Sequence, residues 1–153
     1  MVSTAAQLRL LQEFRAIQSD SLVNILACPF SAKNLSHWNV RLNGPPDTPY
    51  QGGIFFLTMI FPNTYPLEPP HVKFNTKIFH CNINSEGRVC TQLMENWLVT
   101  TNISQILLEI YCVLIECNPN NPLVQEFADL YIANRPQYDA NARDWTTKYA
   151  TNS

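Results

Sequence analysis

An amide side chain and a thiol stand eight positions apart near the middle of the chain. The segment His80-Cys81-Asn82 is followed by the turn-forming residues 84–87 and then by Cys90. A cysteine sulfur can carry an acyl group as a thioester, and a nearby amide N–H can stabilise the oxyanion that forms when the thioester is attacked. The pair Asn82 and Cys90 therefore predicts acyl-transfer chemistry, although this spacing alone is a weak signal.

Composition limits the class of protein in which this pair can act. The chain has 153 residues, of which 46% are hydrophobic and 14% are charged, and this favours a single globular domain over residues 1–153. The net charge of −2 and the absence of a Lys/Arg run argue against nucleic acid or a membrane as the partner. The first residues lack the basic-then-apolar order of a secretory signal, so we expect a cytoplasmic or nuclear protein.

The cysteines favour free thiols over a disulfide framework. Their number, five, is odd, and a reducing compartment is therefore expected. His80, Cys81 and Cys90 lack the paired spacing of zinc ligands, so no metal ion is expected. A regulatory disulfide between Cys81 and Cys90 remains open at this level.

Periodic segments indicate the elements that must position these groups. Leu10, Phe14 and Ile17 recur with helical spacing, after a cap at Ser3 or Thr4. Three strands are predicted further on, from alternating or continuous apolar residues: Trp38, Val40 and Leu42; residues 54–61; Val72 and Phe74. Residues 62–70 contain four prolines and cannot lie in a central strand.

The second half of the chain is irregular at first and then helical. Residues 79–101 show no sustained period, and long loops inside compact domains are usually functional. Apolar spacing predicts a buried helix over residues 103–115 and two more helices after it. Asn121 and Pro122 are expected to cap and open the first of these two, and Pro136 the second. The predicted order of elements is a helix, a meander of strands, a loop and three helices. This order indicates an α+β fold with an antiparallel sheet.

Three motifs together resemble a known family. They are the proline-rich stretch Tyr65-Pro66-Leu67-Glu68-Pro69-Pro70, the His80-to-Cys90 segment, and Trp97 seven residues after Cys90. In these the chain resembles the catalytic core of ubiquitin-conjugating enzymes, from about residue 7 to residue 149. The resemblance implies an N-terminal helix, a four-stranded antiparallel meander sheet, a long catalytic loop and C-terminal helices. The family's usual signature is His-Pro-Asn, so Cys81 is a departure from it.

The resemblance also implies roles for the central residues. Cys90 would accept ubiquitin as a thioester from an activating enzyme, with oxyanion support from Asn82. His80 would hold the loop by a hydrogen bond rather than act as a general base. No cofactor is implied, since ATP is consumed by the activating enzyme, and a monomer suffices. Two alternatives stay open: an inactive variant that only binds ubiquitin or a partner, and a carrier of another ubiquitin-like modifier.

Departures from the family pattern bear on the acceptor of the acyl group. Gln92 and Asn121 stand where many members carry aspartates that position or deprotonate an attacking lysine. A lysine that attacks the thioester would therefore have neither of these carboxylates beside it. The cysteine of a ligase ionises more readily than a lysine and needs less help.

The surfaces for partner enzymes also differ from the family pattern. The ligase-binding residues implied by the resemblance are Leu67, in place of an aromatic residue, and Val99 and Thr100, in place of a Ser-Pro-Ala stretch. These changes favour thioester-forming ligases over RING-type ligases. Arg9 and Arg15 are the basic residues left in the first helix for binding an activating enzyme.

Overall fold

The amphipathic pattern at the start of the chain forms helix α1 (Thr4–Ser19). Leu10 and Ile17 are buried and Phe14 packs against the core, so the predicted helical face is confirmed. The structure, a computed structural model, describes residues 4–19, 22–89 and 91–151. The predicted cap at Ser3 lies outside these residues, and Thr4 is the first helical residue.

Four strands follow α1 and form one antiparallel meander in the order β1-β2-β3-β4. They are β1 (Ile25–Ser31), β2 (Asn34–Asn43), β3 (Ile54–Ile60) and β4 (His71–Phe74). In β2 the alternation of Trp38, Val40 and Leu42 with polar residues places the apolar side chains in the core. The α+β prediction with an antiparallel four-stranded sheet is therefore confirmed.

The long segment after β4 contains little regular structure. Its one helix among the described residues is α2 (Gln92–Glu95), which is capped by the Thr91 hydroxyl at the Met94 N–H. Isolated bridges join Lys73 to Arg88 and Ile83 to Val89, so the chain that leads towards position 90 lies beside β4.

Three helices complete the fold: α3 (Ile103–Ile115), α4 (Gln125–Ala133) and α5 (Arg135–Tyr149). The prediction that Asn121 and Pro122 cap and open α4 was wrong, since α4 begins at Gln125 without a side-chain cap. The N–H groups of Leu123 and Val124 are donated to the carbonyl of Cys81, at 2.8 and 3.1 Å. This tertiary pairing keeps the segment before α4 out of the helix.

The hydrophobic core lies between the sheet and the helices. Helix α3 contributes most of its length, with five buried residues along one face: Ile103, Ile106, Leu107, Ile110 and Leu114. Helix α1 contacts β1, β2 and α3. None of the helices in the described residues is long and apolar enough to cross a membrane.

Candidate active site

The imidazole of His80 is buried and bonded at both ring nitrogens. Nε2 lies 2.7 Å from the carbonyl oxygen of Val113, and Nδ1 accepts the backbone N–H of Asn82 at 3.0 Å. Because Nδ1 accepts, the ring proton is on Nε2, which donates to Val113. Val113 lies in the last turn of α3, where carbonyls lack helical partners. His80 thus satisfies a helix end and fixes the backbone of Asn82.

The same burial keeps His80 neutral. Desolvation lowers the pKa of His80 to about 4, although the bond to the Val113 carbonyl acts in the opposite direction. The lone pair on Nδ1 is occupied by the Asn82 N–H. The ring is therefore placed to support the loop, and it would have to break a bond before taking up a proton.

The side-chain amide of Asn82 is buried and bridges two loops. Its Oδ1 accepts the Asn118 N–H at 2.8 Å, and its Nδ2 donates to the Asn118 and Asn121 carbonyls at 2.9 and 3.1 Å. Both amide hydrogens are thus donated within the protein. In this arrangement neither is free for an oxyanion, so the predicted stabilising role requires one of these bonds to be exchanged.

The residues that precede position 90 in the sequence are held in place by contacts with β4. Gly87 has a positive φ of 85°, and a Cβ there would lie 2.0 Å from the Phe74 carbonyl oxygen, so the turn requires glycine. Phe74 donates its N–H to the Gly87 carbonyl at 2.7 Å. Val89 and Thr91 are both buried. Cys90 itself lies outside the described residues, and its role stays a prediction.

Gln92 and Asn121, the residues expected at the mouth of the site, are both exposed. Gln92 is the first residue of α2. Asn121 meets the site through its backbone carbonyl, which accepts the amide of Asn82. Neither side chain carries an ionisable group, so neither can take a proton at neutral pH.

Cys81, which was expected to be a departure from the family signature, is fully buried. Its N–H donates to the Tyr138 hydroxyl at 3.0 Å, and its sulfur lies 3.4 Å from the Asn82 Oδ1. A proline could not make the first of these bonds because it has no N–H. A disulfide from Cys81 to Cys90 stays untested, since Cys90 is not described.

The predicted ligase-binding residues all lie at the surface. Leu67 is 70% exposed, and Val99 and Thr100 are exposed as well. The two loops that carry them are tied together, because the Trp97 indole donates to the Pro66 carbonyl at 2.7 Å. Leu67 and Val99 are therefore apolar side chains that are exposed on two loops held together by this hydrogen bond.

Arg9 and Arg15, the expected residues for an activating enzyme, differ in their surroundings. Arg15 is exposed. Arg9 is partly buried, pairs with Glu13 at 3.0 Å and donates to the Thr101 carbonyl at 3.1 Å. The guanidinium of Arg9 is thus largely occupied within the protein.

Glu13 is a buried carboxylate that sequence patterns did not single out. It accepts the Tyr65 hydroxyl and, at 2.6 Å, the N–H of Ile103, the first residue of α3. A carboxylate at a helix N-terminus satisfies a free donor and complements the helix dipole. Glu13 thereby joins α1, the proline-rich loop and α3. Its position within the apolar face of α1 was the signal available in the sequence.

A comparison with protein families agrees with this architecture. The model of a family described as ubiquitin-conjugating enzyme matches residues 9–146, which is nearly the whole chain. The match includes most of α1, the complete sheet, the loop with His80 and Asn82, and all of α3 and α4. The chain belongs to the ubiquitin-conjugating enzyme family.

Proposed function

We propose that this protein accepts activated ubiquitin as a thioester on Cys90 and passes it to a ligase cysteine or a substrate lysine. The observation that carries this proposal is the pair of fixed loops around Asn82, bonded to Asn118 and Asn121 on one side and to His80 on the other. Thioester exchange needs a positioned acceptor more than a strong base, because reactants and products are similar in energy.

A groove is lined by residues that precede and follow position 90 in the sequence. It has a volume of about 430 Å³ and is lined on both sides of position 90, by Arg88 and Val89 before it and by Met94 and Glu95 after it. Val72 and Lys73 of β4 also line this groove. In this proposal, the groove would receive an extended acyl segment carried by Cys90.

Asn82 has two roles in this proposal. In the free protein it holds the 118–121 loop in place through its amide. During transfer, the longer of its two donated bonds, at 3.1 Å to the Asn121 carbonyl, would give way so that Nδ2 can donate to the oxyanion. Loss of one oxyanion donor costs about 2.7–4 kcal/mol in the transition state.

We further propose that the loaded enzyme discharges preferentially to cysteine. The support is chemical: the amides of Gln92 and Asn121 cannot accept a proton from an attacking lysine, whose pKa is about 10.4. A thiol ionises about two pH units lower and can attack without that help. The test compares discharge of the loaded protein onto free lysine and free cysteine. Similar, rapid rates with both acceptors would contradict this preference.

An alternative is a binding module that holds ubiquitin or a partner without carrying it. The observation that favours it is the complete use of the Asn82 amide hydrogens within the protein. This alternative predicts no covalent adduct under any charging condition.

Incubation with activating enzyme, ATP and ubiquitin separates the two functions. We expect a mass increase of one ubiquitin that thiol reductant reverses and that Cys90→Ala abolishes. The matched control is Cys112→Ala, which removes an exposed cysteine on α3 and should charge like the wild type. An adduct that persists in Cys90→Ala, or none in the wild type, contradicts the proposal. Repetition with other ubiquitin-like modifiers identifies the cargo.

A further inference from the structure

The backbone that leads into Asn82 is held at three successive peptide groups. The carbonyl of Phe79 accepts the hydroxyl of Tyr50 at 2.6 Å. In the next peptide group, the N–H of Cys81 donates to the hydroxyl of Tyr138 at 3.0 Å. In the third, the N–H of Asn82 donates to an imidazole nitrogen of the same loop at 3.0 Å. Two phenols from outside the loop therefore hold the backbone on the N-terminal side of Asn82.

Both phenols are themselves held in place. The ring of Tyr138, on α5, is 3% exposed and packs edge-on against Phe79, with 5.1 Å between the ring centroids. Tyr50 is 2% exposed, and its N–H donates to the Thr48 hydroxyl at 3.2 Å. Its backbone carbonyl lies so close to Gly44 that a Cβ there would be 1.7 Å from the oxygen. Because both rings are buried and packed, each hydroxyl has a well-defined position.

The two hydroxyl groups are not needed to fill the core. A phenylalanine ring would occupy almost the same apolar space at position 50 or 138. What each hydroxyl adds is one hydrogen bond to a backbone group within three residues of Asn82. Side chains that orient a functional group in this way act through that group, without contact to the substrate.

Such support matters most at the step that we propose for Asn82. One bond of its amide, to the Asn121 carbonyl, would be exchanged for a bond to the oxyanion. The side chain then loses one of its own anchors, whereas the bonds to the backbone before it remain. An oxyanion donor has to lie about 2.7–3.1 Å from the developing charge, and a displacement of about 1 Å can slow a reaction about 100-fold. The two phenols would limit this displacement.

We propose that Tyr138 and Tyr50 are positioning residues for acyl transfer, and that they act through the orientation of Asn82. This inference rests on the proposed function, because it requires Asn82 to donate to the oxyanion. Tyr138 bonds the residue directly before Asn82, whereas Tyr50 bonds one peptide group further away. Loss of the Tyr138 hydroxyl should therefore slow transfer more than loss of the Tyr50 hydroxyl.

The first experiment measures discharge of the loaded full chain in a single turnover. Ubiquitin is attached with activating enzyme and ATP, the ATP is removed, and free lysine or free cysteine, whichever the loaded wild type uses, is added in excess. Tyr138→Phe should discharge at least about tenfold more slowly than the wild type, and Tyr50→Phe should be slowed by a smaller factor. Only loaded molecules are counted, so protein that fails to fold does not enter the rate.

The matched control is Tyr111→Phe. The Tyr111 hydroxyl, on α3, accepts the side-chain amide of Asn24 at 3.1 Å. This variant therefore also removes one phenol oxygen and one tertiary hydrogen bond. It leaves the bonds to the backbone before Asn82 in place and should discharge at the wild-type rate.

A second pair of measurements separates positioning from a general effect on stability. In the Asn82→Ala background the amide is absent, so Tyr138→Phe should slow discharge there by no more than about twofold, which is the usual error of additivity. A loosened fold would instead slow both backgrounds by the same factor. Without any charging, NMR should show shifted Asn82 side-chain amide resonances in Tyr138→Phe and unchanged ones in Tyr111→Phe.

The outcomes distinguish this inference from the proposed function. The absence of a reductant-sensitive adduct on the wild type would overturn both. Normal charging followed by wild-type discharge of Tyr138→Phe would overturn the inference alone, and so would an equal slowing by Tyr138→Phe with and without the Asn82 amide. Unchanged Asn82 amide resonances in Tyr138→Phe would also contradict it.

Discussion

Asn82 and Asn118 are joined by two hydrogen bonds, of 2.8 and 2.9 Å, that use both ends of the Asn82 amide. One side chain thereby pairs with the backbone N–H and C=O of a residue 36 positions away, as a neighbouring strand would. The loop after α3 is held at this point by this amide, and further along by the bonds from the Leu123 and Val124 N–H groups to the Cys81 carbonyl. Such contacts lead to three predictions about the loops around Asn82 and to one about the hydrogen bonds and the ion pair of Glu13.

Asn82→Ala should lower the free energy of unfolding by about 2 kcal/mol. The variant loses three hydrogen bonds of about 1 kcal/mol each, partly offset because Asn118 and Asn121 are exposed and can bond to water. Chemical denaturation measures the change. Asn120→Ala, an exposed residue of the same loop, should change stability by less than about 0.5 kcal/mol. Equal effects of the two variants would mean that the amide does not anchor the loop.

His80 should make folding stability dependent on acid. In the unfolded chain its pKa is about 6.5, whereas in the fold it is lowered to about 4. Stability is therefore complete above pH 6.5 and falls as pH decreases towards 4, because only the unfolded chain binds the proton in this range. The loss from this group is about 3 kcal/mol.

The pH effect is checked by denaturation series of matched variants. His80→Gln should be less stable than the wild type at pH 7.5 but lose less stability between pH 6.5 and 4. His71→Gln, at an exposed position of β4, should keep the wild-type slope. A His80→Gln slope equal to that of the wild type would show that the ring is protonated in the fold.

Cys81→Pro should destabilise this protein by about 1 kcal/mol. Proline gains about 0.4–1 kcal/mol by restricting the unfolded chain. It also removes the buried N–H that donates to the Tyr138 hydroxyl, and the loss of this hydrogen bond costs about 1–3 kcal/mol of stability.

A double-mutant cycle with Tyr138→Phe separates these two effects on stability. In the Tyr138→Phe background the hydroxyl is already absent, so Cys81→Pro should cost less there than in the wild type. Strictly additive free energies from thermal or chemical denaturation would exclude the backbone bond as the cause.

Glu13→Ala should cost about 3 kcal/mol of stability. The substitution leaves Arg9 unpaired and removes the acceptor of the Tyr65 hydroxyl and the Ile103 N–H. Glu86→Gln, in an exposed turn, is the control and should change stability by less than about 0.5 kcal/mol. A small effect of Glu13→Ala would mean that the three segments are held by apolar packing alone.

Local patterns in the sequence predicted most of the elements and missed two, strand β1 and the short helix α2, which lies in the segment expected to be irregular. The periodicity of α1 and α3 and the alternation in β2 are strong, because each element buries one face. Strand β1 was not located from its own residues: it contains Pro29 and exposes Leu26 and Phe30, so it shows no clear alternation. Its presence was implied by the family resemblance alone.

The candidate site was predicted in part. Residue types and spacing singled out His80, Asn82 and Cys90, because thiol, amide and imidazole groups carry recognisable chemistry. The start of α4 was wrong because the Cys81 carbonyl competes for the N–H groups of Leu123 and Val124. Such a partner, about 40 positions away, leaves no trace in the local sequence.

The sequence by itself determined the α+β class, the membership of the family and the groups that could do chemistry. Only the tertiary structure decided what those groups contact: both hydrogens of the Asn82 amide are donated to another loop, His80 is bonded at both nitrogens, and the Cys81 N–H donates to the Tyr138 hydroxyl. The physical reason is that periodicity reports which face is buried. The partner of a buried polar group is set by how distant loops are brought together.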